Sequence, residues 1–99
     1  MARSSKLESG FQDRLRGHLL DKYPGCMIFK MDSPQGIPDM LILYGDKWAS
    51  LENKKEKNAE HQPNQDFYVE KMNNMSFSRF VYPENRDQVL AELDAHFKS

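Results

Sequence analysis

Apolar residues recur every four positions at Leu7, Phe11, Leu15 and Leu19. That spacing keeps them on one side of a helix and predicts an α-helix from about Ser5 to Lys22. Ser5-Lys6-Leu7-Glu8 has the form of a capping box, and Tyr23-Pro24-Gly25 stops the helix. Cys26 to Met31 is a short, mostly apolar run of strand length. Ser33-Pro34-Gln35-Gly36 reads as a turn. Asp39 to Tyr44 is a nearly continuous apolar strand, the kind buried on both faces. After the tight turn Gly45-Asp46, Lys47 to Lys55 alternates as a third strand. Trp48, Ser50, Glu52 and Lys54 share one face, and Ala49, Leu51 and Asn53 the other.

Asn58 to Gln62 is a polar connection, and Pro63 suits the first position of a helix. That helix is expected to turn Phe67, Tyr68 and Met72 toward the core. Phe77 to Tyr82 is β-prone and predicts a fourth strand. Asn85-Arg86-Asp87-Gln88 is a second capping box. It opens a last helix with Val89, Leu90, Leu93 and Phe97 on one face. The order helix, strand, strand, strand, helix, strand, helix predicts a small α/β sandwich, a mixed sheet flanked by helices. No internal repeat interrupts it.

The 99 residues bound the chain to one domain, 1–99, with little core to spare. A hydrophobic fraction of 38% beside 29% charge fits a globular class and not a disordered one. No apolar run approaches the roughly 20 residues of a membrane helix. The start, Met1 to Lys6, is polar, which sets the expectation of a cytoplasmic protein. Cys26 is the only cysteine, so an internal disulfide and a multi-cysteine zinc site are excluded. His18, His61 and His96 lack metal-ligand spacing on a helix. The net charge of −1 does not advertise nucleic-acid binding, so any phosphate-binding charge must be local. Local basic groups exist: Arg3, Lys6, Arg14, Arg16, Lys22 and Lys30 in the first third, then Lys54, Lys55 and Lys57.

The alternation of the third strand sets a carboxylate, Glu52, beside an ammonium, Lys54. With Gly45-Asp46 as a two-residue hairpin loop, Tyr44 faces Lys47 and Asp39 comes opposite Glu52. A bulge or a longer loop would shift that register. Two neighbouring carboxylates repel, and a divalent cation with a taste for hard oxygen, Mg²⁺ or Mn²⁺, relieves the conflict. Such an ion can bind a phosphate oxygen and acidify a water, with Lys54 orienting that water or neutralising charge on the phosphate. The set amounts to a site for phosphodiester hydrolysis.

Gly36-Ile37-Pro38-Asp39, apolar residues, then Glu52-Asn53-Lys54 resembles the PD-(D/E)XK nuclease signature. It is most similar to the VRR-NUC branch, short standalone members of which occur in bacteriophages. The similarity extends over the chain from about Glu8 to about Tyr82, taking in the leading helix and a Gln after the motif lysine. It is more distant to phage junction-resolving endonucleases. What it implies is a restriction-endonuclease-like fold and a catalytic set of Glu8, Asp39, Glu52 and Lys54. Asp39, Glu52 and the Asn53 main-chain carbonyl would hold Mg²⁺ or Mn²⁺, and Glu8 would reach the site directly or through water. Gln65, with Gln62 in reserve, would support Lys54 or a substrate phosphate.

Lys30, Lys55 and Lys57 are candidates for contact with nucleic acid. Lys55 and Lys57 also read as a solvated cluster, and Lys30 as a solvated lysine. Trp48 reads as a core residue before a base-stacking one. The implied function is a DNA endonuclease, in host cytoplasm if phage-encoded. Branched or junction DNA suits a small domain with little surface for reading base edges, and a homodimer would present two sites to two strands. The runner-up reading is an inactive nucleic-acid-binding or protein-interaction module on the same fold.

Overall fold

A computed structural model describes residues 3–99, and the side chains from Gly10 onward. The elements follow the expected order: α1 (Arg3–Lys22), β1 (Met27–Lys30), β2 (Met40–Tyr44), β3 (Lys47–Asn53), α2 (Gln65–Met75), β4 (Ser78–Val81) and α3 (Arg86–Lys98). A single 3₁₀ turn, Pro83–Asn85, leads into α3. The helix α1 begins at Arg3, ahead of the Ser5 expected as its cap.

The sheet runs β1-β2-β3-β4. The first three strands are antiparallel, and β4 joins β3 in parallel, with α2 as the crossover. Tyr44 pairs with Lys47 and Met40 with Leu51, so the hairpin carries the two-residue loop. Gly45 takes a φ of 62°, the positive value such tight hairpin turns need.

One face of the sheet carries the core. Met40 and Ile42 of β2, Ala49 and Leu51 of β3 and Val81 of β4 pack with Phe11, Leu15 and Leu19 of α1 and Leu90, Leu93 and Phe97 of α3. The rings of Tyr23, Tyr44 and Phe97 meet at centroid distances of 5.0–5.4 Å, closing one end of this layer. Cys26 is buried beside them.

The opposite face is only partly covered. The helix α2 lies over β3 and β4, where Ser50 and Ser78 pair their hydroxyls at 2.8 Å and Met72 rests on Ser50. The apolar strand β2 is therefore not buried on both sides as expected. Leu41 and Leu43 are half-buried, and Met27 and Phe29, which pair with Leu43 and Leu41, are exposed. No helix among the described residues covers that half of the face.

Three further expectations are corrected. The helix α2 starts at Gln65 and not at Pro63, because Asn64 takes a left-handed φ of 73°. Phe67 is 59% exposed. It stands two residues, about 200° around the helix, from Gln65, which faces the sheet. Asn85 does not cap α3. Its side-chain oxygen accepts from the Tyr82 N–H (2.8 Å) and its amide donates to the Phe80 carbonyl (3.0 Å), which secures the end of β4 instead.

The Tyr23 hydroxyl donates to Asp94 at 2.7 Å, joining residues 71 apart in sequence. Burial, then this bond, raises the Tyr23 pKa well above its ordinary value. A hydrogen bond from Lys98, then the one from Tyr23, lowers that of Asp94. The raised group contributes stability that is lost as pH climbs above about 10, and the lowered group contributes stability that is lost below about 4. Through these two groups the thermal midpoint should fall as pH drops below about 4 and as it climbs above about 10. Tyr23→Phe should lower the midpoint between those limits by a few degrees and weaken the alkaline fall, as followed by circular dichroism.

Candidate active site

The open end of the β2–β3 hairpin gathers the acidic and basic groups. Continuing the register by one pair beyond Met40 and Leu51 sets Asp39 opposite Glu52. Pro38, fully buried, fixes the approach to β2. The Asn53 side-chain amide donates to Asp39 Oδ1 at 2.6 Å, and the Asn53 backbone N–H to Oδ2 at 3.2 Å. Gln12 of α1 reaches the same Oδ2 at 3.5 Å. Hydrogen bonds to an ionised acceptor are stronger than neutral ones, so β3 and α1 together aim this carboxylate.

Glu52, Lys54 and Gln65 are 5%, 7% and 8% exposed. Gln65 lies between the other two. Its Nε2 donates to Glu52 Oε2 at 3.0 Å, and its Oε1 accepts from Lys54 Nζ at 2.6 Å. The same Oε1 accepts from the Gln62 N–H at 2.8 Å. Lys54 Nζ also donates to the Glu60 carbonyl at 2.9 Å. These bonds use two of the three N–H donors of an ammonium. Buried charges are tolerated only when paired and hydrogen-bonded, and here one neutral amide serves both signs.

Backbone geometry holds Gln65 in place. The Pro34 carbonyl accepts from the Ile37 N–H at 3.0 Å, closing a turn in which Gly36 has a φ of 89°. The turn lies directly on the segment before α2. A Cβ at Gly36 would stand 2.6 Å from the Pro63 carbonyl oxygen and 2.7 Å from Asn64 Cβ. Glycine is thus required twice over, by its torsion angle and by the contact. Gly36 to Asp39 and Pro63 to Gln65, far apart in sequence, are docked as one unit.

The structure brings Glu52, Lys54 and Gln65 together in one hydrogen-bonded group, while Asp39, at the same end of the sheet, bonds to Asn53 and Gln12 and lines a different hollow. Glu8 lies within α1, but its side chain falls outside the described residues. Gln62 takes part through its main chain and lines a hollow with Glu52, Lys54, Lys55, Glu60 and Gln65. Lys30 is exposed and lines a second hollow with Gln12, Arg16 and Asp39. Lys57 is exposed on the loop after β3 and lines neither. Trp48 stands four residues, about 13 Å, along β3 from Glu52. Its carbonyl accepts from Ser76, with His96 Nε2 3.0 Å away. His61 stacks on Phe80 at 4.1 Å and pairs with Asp66.

Sequence reasoning missed Gln12, the side chain of Asn53 and the Glu60 carbonyl. Gln12 had a signal, since it stands one helical turn after Glu8 on the same side of α1. The other two depend on how β3 ends and how its following loop folds back.

The oxygens at this site form a hard donor set, which fits Mg²⁺ or Mn²⁺ and not a soft-ligand metal. Asp39 and Glu52 supply carboxylates. Asn53 Oδ1 is buried with no hydrogen-bond partner among the described residues. No three His, Cys, Asp or Glu side chains among the described residues cluster for a metal ion. The chain matches no family model, no curated protein and no solved structure.

Two substitutions probe this assembly without reference to activity. Gly36→Ala should cost about 1–3 kcal/mol in urea unfolding, through the positive φ and the collision with Pro63. Gln65→Leu should cost about 2–3 kcal/mol, because it leaves a buried ammonium and a buried carboxylate short of a partner.

Proposed function

We propose that this protein is a metal-dependent endonuclease that hydrolyses phosphodiester bonds in DNA, on a restriction-endonuclease-like sandwich of the PD-(D/E)XK, VRR-NUC type. The observation that carries the reading is the bridge of Gln65 between Lys54 and Glu52, at the end of the sheet where Asp39 comes opposite Glu52 in the continued register. A direct Glu52–Lys54 ion pair would consume both charges. The inserted amide lies between them and orients both.

Asp39 and Glu52 hold Mg²⁺ or Mn²⁺ in this reading, with the Asn53 main-chain carbonyl as a further ligand. The cation, when bound, supplies positive charge to a phosphate oxygen and acidifies a neighbouring water. Lys54, with one N–H donor beyond its bonds to Gln65 and Glu60, orients that water or neutralises charge growing on the phosphate. The water oxygen bonds to phosphorus in line with the leaving 3′ oxygen. The phosphorus–3′ oxygen bond breaks, the attacking water gives up a proton to solvent, and the leaving 3′ oxygen takes one from solvent to become a hydroxyl. Gln65 positions Lys54, Gln12 and Asn53 position Asp39, and Glu8 approaches from α1. Branched DNA is the proposed substrate and a homodimer the proposed form, since a domain this small leaves little surface for base readout.

Purified protein with Mg²⁺ or Mn²⁺ should cleave branched DNA, and a chelator should abolish cleavage. Asp39→Ala, Glu52→Gln and Lys54→Ala should each lower the rate at least about 100-fold. Millimolar Mn²⁺ should raise the thermal midpoint of the unsubstituted protein and not that of Asp39→Ala. Cleavage that survives all three substitutions would remove the site from the reaction.

A further inference from the structure

Three hollows are lined by residues at or near the open end of the sheet. The central one, of about 280 Å³, is lined by Glu52, Lys54 and Lys55. On one side, a hollow of about 270 Å³ is lined by Asp39, Gln12, Arg16 and Lys30. Its Asp39 stands opposite Glu52, which lines the central hollow, when the register is continued by one pair. On the other side, a hollow of about 420 Å³ is lined by Phe11, Arg14, Lys55, Glu56 and Pro83. It joins the centre through Lys55. The outer hollows lie on opposite flanks of α1, since Gln12 and Arg16 turn to one side of that helix and Phe11 and Arg14 to the other.

Each outer hollow carries two cations, and none of the four forms an ion pair among the described residues. Arg16 donates to the Ile28 carbonyl at 3.3 Å, which fixes its guanidinium and leaves further N–H donors. The contrast is with several cations elsewhere in the molecule. There Lys22 and Lys98 pair with Asp94, Arg79 with Glu92 and Arg86 with Asp87. Carboxylates also line the outer hollows, Asp13 in one and Glu56 in the other, and both are exposed. Asp39 is set apart from that balance by its proposed role as a cation ligand.

We propose that the outer hollows are phosphate subsites, Arg16 with Lys30 on one side and Arg14 with Lys55 on the other, gripping one DNA strand on both sides of the bond to be cut. This inference rests on the reading of the central hollow as the hydrolytic site. Its consequence is positional. A strand needs a phosphate on each side of the scissile one, so cleavage is internal and a terminal phosphodiester is a poor substrate. Arg14 and Arg16 act in positioning: they hold the strand and take no part in bond-making.

The test uses the full chain carrying Lys54→Ala, a fluorescent DNA oligonucleotide and Mg²⁺, with binding followed by anisotropy as salt is raised. Arg14→Ala and Lys30→Ala should each weaken binding several-fold and reduce the salt slope by about 0.7–0.9. Lys22→Ala and Lys71→Ala, whose side chains line none of the three hollows, should leave the slope unchanged. In the unsubstituted protein, one uncharged methylphosphonate on either side of the scissile phosphate should slow cleavage. Equal slope losses at the control lysines, or unchanged slopes at Arg14 and Lys30, would overturn the grip. Slope losses confined to the hollows with no cleavage of any DNA would uphold it and reject the hydrolysis.

Discussion

A single carboxamide stands between a buried ammonium and a buried carboxylate, and much of the fold serves to keep it there. Gln65 has the dipole to meet both charges at once, negative end to Lys54 and positive end to Glu52. Either charge alone in that place would be costly. Placing Gln65 requires α2 to begin where it does, which requires the left-handed turn at Asn64, which in turn rests on a loop that has no side chain at Gly36. The parallel crossover through α2 then delivers β4 to the outer side of β3, where the Lys54 N–H bonds to the Val81 carbonyl at 2.8 Å.

The two faces of the sheet divide the labour. The face under α1 and α3 is apolar and holds the molecule together. The face under α2 is built of Ser50, Ser78, Glu52 and Lys54 and gives up apolar burial for polar contacts. Polar content so close to the centre of a 99-residue domain is a drain on stability, and the ring cluster of Tyr23, Tyr44 and Phe97 lies at the other end of the core. The aromatic cluster and the buried charged groups thus stand at opposite ends of the same strands.

The sequence makes some of this legible and hides the rest for physical reasons. A two-residue loop and strict alternation leave one register for β2 and β3, so the position of Asp39 opposite Glu52 can be counted along the chain. The buried lines of α1 from Phe11 on and of α3 follow from their spacing. By contrast, an apolar strand states what it is able to bury and not how much helix there is to cover it, so the open side of β2 is invisible. Periodicity in α2 does not say which of Phe67 and Met72 faces the sheet, because that phase is set by Asn64. Asn85 has a cap-like context, yet its amide finds better partners in the end of β4. The side chain of Asn53 becomes relevant only once Asp39 turns toward it.

The seat of Gly36 on Pro63 and Asn64 leaves no room for a side chain between them. The loop carrying Asp39 and the helix carrying Gln65 are therefore set against each other at backbone distance. The separation of the acid from the amide hangs on one residue that is neither of them, and any larger residue there would have to push the two segments apart.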